Sequence, residues 1–303
     1  MKLGPIFRFI ISSGLLFSLG ATTTFAAPPA WLLNVAKTDS VLLPHDAPAV
    51  VLLDETLVMI QNDGRETTRH RCAIRILNQS GRQFAEGEVG YLEKEDDVSS
   101  TDAWVVRAGK AVAPKEKPKW IDESAAAAGE IFSEYRRRVV SYSDFALNDD
   151  VFGYETIVEG NLNFPQLSNS WESVLPVMRE SYALQLPHGW TMQAVVNGPL
   201  APVLRTATGL QSWTWELIDR PYRPDEPDMS GSGRIDARLM ITLSPPAELP
   251  RGMLPVFHSW ADLDSWLVAL QDPQCDTNPA LTKTVNQLTA GSATNQESKS
   301  AQE

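Results

Sequence analysis

The chain has 303 residues, 43% of them hydrophobic and 21% charged, which is material for two domains with apolar cores rather than for a disordered chain. Lys and Arg number 26 against 38 Asp and Glu, a formal charge of −12. That excess argues against nucleic acid or anionic lipid as a partner, because both need a clustered cationic surface. Two cysteines and four histidines exclude a disulfide scaffold and an all-cysteine zinc centre, so neither a metal site nor a cofactor is expected.

The chain opens with Lys2 and Arg8, an apolar run over 9–17 and small residues over 21–26. This is the order of a secretory signal peptide. Thr24 and Ala26 stand at the two recognised positions of a cut after Ala26, so 1–26 is expected to be removed. The apolar run falls short of the ~20 residues that span a bilayer, and no transmembrane anchor is expected after cleavage. The expected destination is the periplasm or the exterior. Residues 27–45 form a lead-in.

From 46 to 218 the pattern is mainly β. The apolar run 50–60 meets Asn62-Asp63-Gly64, a hairpin signal because these residues accept positive φ. The answering segment 67–77 alternates, with Thr68, His70, Cys72, Ile74 and Ile76 on one face and Arg69, Arg71, Ala73 and Arg75 on the other. Further strands are expected near 84–91, at 103–106 and 110–112 around Ala108-Gly109, and within 131–145, 152–159, 175–186 and 191–196. In 211–218 Trp213, Trp215 and Leu217 share a face, the pattern of a buried sandwich stripe. A Pro/Gly-rich linker spans 219–234, and one more strand is expected at 235–244. A helix follows over 259–270, with Trp260, Leu263, Trp266, Leu267 and Leu270 as its stripe and Ser259 and Asp262 as a capping pair. Asn278-Pro279 opens a last helix carrying Leu281, Val285 and Leu288. The polar tail 291–303 reads as disordered. The expected fold class is therefore mainly β: sandwich-like antiparallel sheets, a short helical C-terminal part over 235–290 after the last strand, and a disordered tail.

The order of these parts resembles an exported bacterial domain of unknown function that commonly precedes transglutaminase-like domains. The resemblance rests on the strand from Asp46 to Leu57, the Asn62-Asp63-Gly64 turn, the Arg-alternating strand, Tyr91, the hairpin from Ala103 to Val112, Trp213-Thr214-Trp215, the proline-rich segment and the Trp260–Trp266 helix. It implies two packed antiparallel sheets followed by linking helices. In relatives with the complete architecture a helix like that at Pro279 leads into a core bearing a nucleophilic cysteine, then a histidine and an aspartate. This sequence ends at Glu303 without those three, so the resemblance implies a front domain lacking the catalytic core. A naturally short chain and a truncated one both fit.

The remaining candidates each carry two readings. Cys72 shares a face with His70, and a thiol nucleophile needs such a base; a structural core cysteine is the expected reading. Cys275 sits in Pro273-Gln274-Cys275-Asp276 with His258 upstream, but no histidine follows it, so no catalytic residue is expected. A Cys72–Cys275 disulfide is allowed by export and left open. Arg69, Arg71 and Arg75, with Arg136-Arg137-Arg138, either bind a carboxylate or phosphate on a partner or form a solvated face balanced by acids such as Glu86 and Glu88, the expected reading. Trp213 and Trp215 either stack a sugar or peptide or pack a core, with core packing expected. The function expected from the residues is that of a non-catalytic exported interaction module for a protein, peptide or envelope component. The alternative is the front part of a thiol-dependent transglutaminase-like or peptidase-like protein.

Overall fold

A computed structural model of the chain describes residues 27–38, 46–126, 133–162, 164–200, 202–207, 210–223, 235–246, 257, 259–275 and 278–289. The expected signal peptide 1–26, most of the linker 219–234 and the tail 291–303 lie outside the described residues.

A short helix α1 (Ala30–Val35) leads into β1 (Ala49–Ile60) and β2 (Arg65–Ile76). Their hairpin closes at Gly64, whose φ of 84° needs a residue without a Cβ, and Asp63 accepts from the backbone N–H of Arg65 at 3.2 Å. A 3₁₀ turn (Gln79–Phe84) then leads to β3 (Glu86–Leu92), β4 (Asp97–Arg107), β5 (Lys110–Val112), β6 (Ile121–Ser124), β7 (Tyr135–Ser141) and β8 (Val151–Asn161). Ala108 and Gly109 both take positive φ, the requirement of a two-residue hairpin between β4 and β5. Next come β9 (Gln166–Glu172), β10 (Val177–Pro187), β11 (Thr191–Asn197), β12 (Val203–Ala207), β13 (Leu210–Arg220) and β14 (Ile235–Ser244), then the helices α2 (Trp260–Cys275) and α3 (Pro279–Thr289).

The strands form three sheets rather than two: an eight-stranded sheet ordered β12-β13-β10-β1-β2-β8-β4-β5, and three-stranded sheets β11-β14-β9 and β3-β7-β6. Length explains the difference. β1 and β2 each run 12 residues, roughly 40 Å of extended chain, too long for one small sheet to cover. Both small sheets therefore sit on the same face of the large one, at opposite ends of its strands. Under β3-β7-β6, Ile74, Cys72, Phe152 and Val105 pack with Val140 and Tyr142. Under β11-β14-β9, Val58, Leu184, Leu186 and Trp215 pack with Trp171, Leu239 and Ile241. On the other face, α1 seats Leu32 against Val50, Leu52, Ala73 and Val151. Almost every pairing is antiparallel, as expected; β1 with β10 is parallel.

β14 is the central strand of its sheet, between β11 and β9. The β region thus continues past the segment expected to be a linker. The caps of the last helices form as their sequences predict: the N–H of Asp262 donates to Oγ of Ser259 at 3.2 Å, and that of Ala280 to Oδ1 of Asn278 at 2.8 Å. Of the α2 stripe, Trp266 packs edge-on against Phe164 and Phe257, whereas Trp260, Leu267 and Leu270 are exposed. Leu281, Val285 and Leu288 of α3 are exposed as well.

Candidate functional site

Alternation along β2 delivers two chemically opposite surfaces. The arginine face lies on the side that carries α1. There Arg71 pairs with Glu155 and, at 3.6 Å, with Glu55, and its guanidinium lies 5.6 Å from the Trp31 ring centroid. Arg69 stands 3.6 Å from the same Glu55, and Arg75 donates to the carbonyl of Ala36 at 2.8 Å. The guanidinium groups considered as a ligand site are thus engaged by acids on the neighbouring strands β1 and β8 and by the end of α1. Of the acids expected to balance the two arginine clusters, Glu88 pairs with Arg137 at 3.5 Å. In the second cluster Arg136 and Arg138 close on Asp122 at 2.6 and 3.1 Å. Tyr91 also donates to Asp122. This hydroxyl and the two guanidinium groups hold its carboxyl down at about 2, against the opposing effect of burial.

The other face of β2 carries a polar band between the two apolar cores. In register across the sheet stand Tyr154, Cys72, Asp54 and Glu180, with His70 and Thr56 one pleat further on. Nε2 of His70 lies 2.8 Å from Oδ1 of Asp54, and its ring meets Tyr154 edge-on at 5.3 Å. Burial works against the imidazolium, yet the Asp54 carboxylate, by charge and by hydrogen bond, and Glu180 more distantly, raise the histidine above its ordinary value. Glu180 is paired with Arg220 of β13. Cys72 is buried and stands opposite Tyr154 on β8. Burial pushes its thiol well up, and the carboxylates of Asp54 and Glu180 push it further than Tyr154 lowers it. At the end of the band Glu66 bonds Thr68 at 2.8 Å and lines a cavity of about 290 Å³ with Asp96, Gly90 and Leu92; burial, with Asp96 nearby, raises its pKa.

Cysteine, histidine and carboxylate therefore do meet at Cys72, His70 and Asp54, but not as an activated thiol. The histidine hydrogen-bonds the acid, the sulfur lies buried beside a phenol, and the surroundings favour the protonated thiol. Cys275 is exposed, and both cysteines are free thiols, so the disulfide left open by the sequence is not formed. Trp215 is fully buried and Trp213 half-buried, both against the β11-β14-β9 core. A ring with no exposed surface offers a sugar no stacking face. Among the described residues no group of three or more His, Cys, Asp or Glu is placed to hold a metal ion. No described helix is long and apolar enough to cross a membrane.

Sequence reasoning did not single out Asp54, Glu180, Tyr154 or Trp31. Only Asp54 carried a usable signal: an acid inside the apolar run 49–60 requires a partner when half-buried, and His70 is the imidazole on the strand hairpinned to it.

Residues 62–223, more than half of the chain, match the family described as a Domain of Unknown Function with solved structure, DUF3857. The chain belongs to this family. No curated protein matches the family member in sequence. Among solved structures it is similar to that of a "putative protease" from Parabacteroides distasonis, at 14% identity and a TM-score of 0.57, over 82% of this chain and 48% of that one. At this identity the likeness is one of fold, and the DUF3857 chain spans about half the length of that protein. An M1 zinc metallopeptidase from Deinococcus radiodurans overlaps at a TM-score of 0.34 and 10% identity, over 64% of this chain and 42% of that one.

Proposed function

We propose that this DUF3857 chain is a non-catalytic, exported module that binds a protein, a peptide or another cell-envelope component. The environment of Cys72 carries the reading. A thiol nucleophile works as a thiolate, accessible and beside a base that can take its proton. Cys72 is buried, its proton is favoured by two nearby carboxylates, and the adjacent imidazole is hydrogen-bonded to Asp54. Recognition falls instead to surfaces such as the outer strand β12, whose Val203 and Leu204 are more than half exposed at the edge of the eight-stranded sheet. An outer strand with free backbone groups accepts an extended peptide.

Crosslinking of the purified chain in envelope extracts tests the reading: a partner captured reproducibly, and lost when Leu204 is changed to Lys, supports it. Turnover of an amide by the purified chain, abolished by alkylating its thiols, overturns it. Amino-terminal sequencing of the exported product should begin at Ala27.

The second reading is the front part of a longer thiol-dependent peptidase-like protein. It draws on the Parabacteroides structure, in whose name the word protease stands and half of which this chain does not match. The DNA past the codon for Glu303 separates the two: an open frame carrying Cys, His and Asp in that order favours the second.

A further inference from the structure

We infer that the outer end of the large sheet holds a binding site for a small carboxylate with an apolar body, an aromatic or short acyl acid. It goes beyond the reading above, which concerns a macromolecular partner, and either can fail without the other. At the β4–β5 hairpin a cavity of about 290 Å³ is lined by Trp104, Tyr142, Val112, Ala113, Pro114 and Lys117, among others. That is roughly twice the volume in which an apolar protein cavity holds benzene, so it takes a ring with a short side chain. Tyr142, at one side, is buried and packs on Phe152 at 5.5 Å. Its hydroxyl is directed to the carbonyl of Ala103 at 3.4 Å, so the inner wall presents mainly ring and aliphatic surface. Lys117, also on the lining, is exposed.

The charge around the cavity is what selects an acid. Many cations of this acidic protein are matched: Arg71, Arg107, Arg136, Arg137, Arg179 and Arg220 each pair with a carboxylate, and Lys94 pairs with Glu134. The exposed lysines Lys110, Lys115, Lys117 and Lys119 have no acid within ion-pair distance among the described residues. Glu116 is the one acid within that stretch of sequence. An apolar body entering between Trp104 and Tyr142 is driven by the surface it removes from water. Its carboxylate, left at the rim, meets the Lys117 ammonium, whereas a neutral head gains nothing there and a cationic one is repelled.

Isothermal titration of the purified chain with 3-phenylpropionate, 3-phenylpropionamide and acetate tests the inference. Phenylpropionate should bind saturably with one site per chain, the amide at least about fivefold more weakly for loss of the ion pair, and acetate not detectably. Lys117→Ala should weaken phenylpropionate by about fivefold and leave the amide unchanged. Ala113→Trp, which fills the cavity, should abolish binding of both while Lys94→Gln changes neither. Equal binding of acid and amide, or indifference to Lys117→Ala, overturns the assignment of an acid. No saturable binding of phenylpropionate overturns the site. Should Ala113→Trp fail to fold, Lys117→Ala and the acid–amide comparison decide alone.

Discussion

His70 and Asp54 face each other across the β1–β2 hairpin, Nε2 to Oδ1 at 2.8 Å, where the apolar core under one small sheet gives way to the core under the other. The next acid on β1, Glu55, points to the opposite face and meets Arg69 and Arg71. Two consecutive carboxylates thus serve two different cationic surfaces, as the period of a strand requires.

The His70–Asp54 pair makes stability depend on pH in a defined sense. The fold raises the imidazole above its ordinary value, while in the unfolded chain a histidine titrates near ~6.5. The pair therefore contributes fully below that pH, and the contribution is lost as pH rises through the higher folded value. The His70 ring protons, followed by NMR, should titrate with a midpoint above that of a free histidine, and Asp54→Asn should move the midpoint down. A midpoint unchanged by Asp54→Asn would remove the ion pair from the account.

The two thiols should differ sharply in reactivity. Cys275 is exposed and Cys72 is buried beside Tyr154. In the native protein a chromogenic disulfide reagent should label Cys275 promptly and Cys72 only on unfolding, and Cys275→Ser should abolish the fast phase. A fast phase that survives in that variant would place Cys72 in reach of solvent.

Gly153 lets α1 seat on the sheet. A Cβ there would stand 2.5 Å from Cδ1 of Leu32, a side chain with no exposed surface. Gly153→Ala should cost ~1–3 kcal/mol through overpacking. Combined with Leu32→Ala it should cost less than the sum of the two, because the second change removes the clash created by the first. Urea denaturation of the single and double variants measures the coupling.

Tryptophans alike in sequence should behave differently. Trp215→Ala empties a fully buried site and should cost ~3–5 kcal/mol. Trp260→Ala, where the ring is 86% exposed, should stay within ~0.5 kcal/mol. A large loss at Trp260 would show that its face is covered in solution.

Much of the β architecture was legible because alternation survives wherever a strand has one buried and one wet side. β2, β13 and β14 carry it, and the turn residues between β1 and β2 and between β4 and β5 mark their ends. The strands that escaped notice, β6, β9 and β12, are short or polar and lie at sheet edges, where packing imposes little pattern. α1 is six residues long and is held by Leu32 rather than by any helical signal of its own. Of the candidate site, the sequence placed Cys72 and His70 on one face and the arginines on the other. It was silent on their partners, because Glu155, Tyr154 and Glu180 reach them only through pairings of β2 with β8 and of β1 with β10.

By itself, then, the sequence determined which residues share a face, since side-chain direction follows from backbone period alone. It determined the absence of a surplus of cations for nucleic acid by simple count. Only the tertiary structure decided what each face meets. Whether a guanidinium is free or matched, or a thiol open or sealed beside a phenol, depends on contacts between strands far apart in the chain. Those contacts are set by burial of the whole sheet against two smaller ones, which no local pattern encodes.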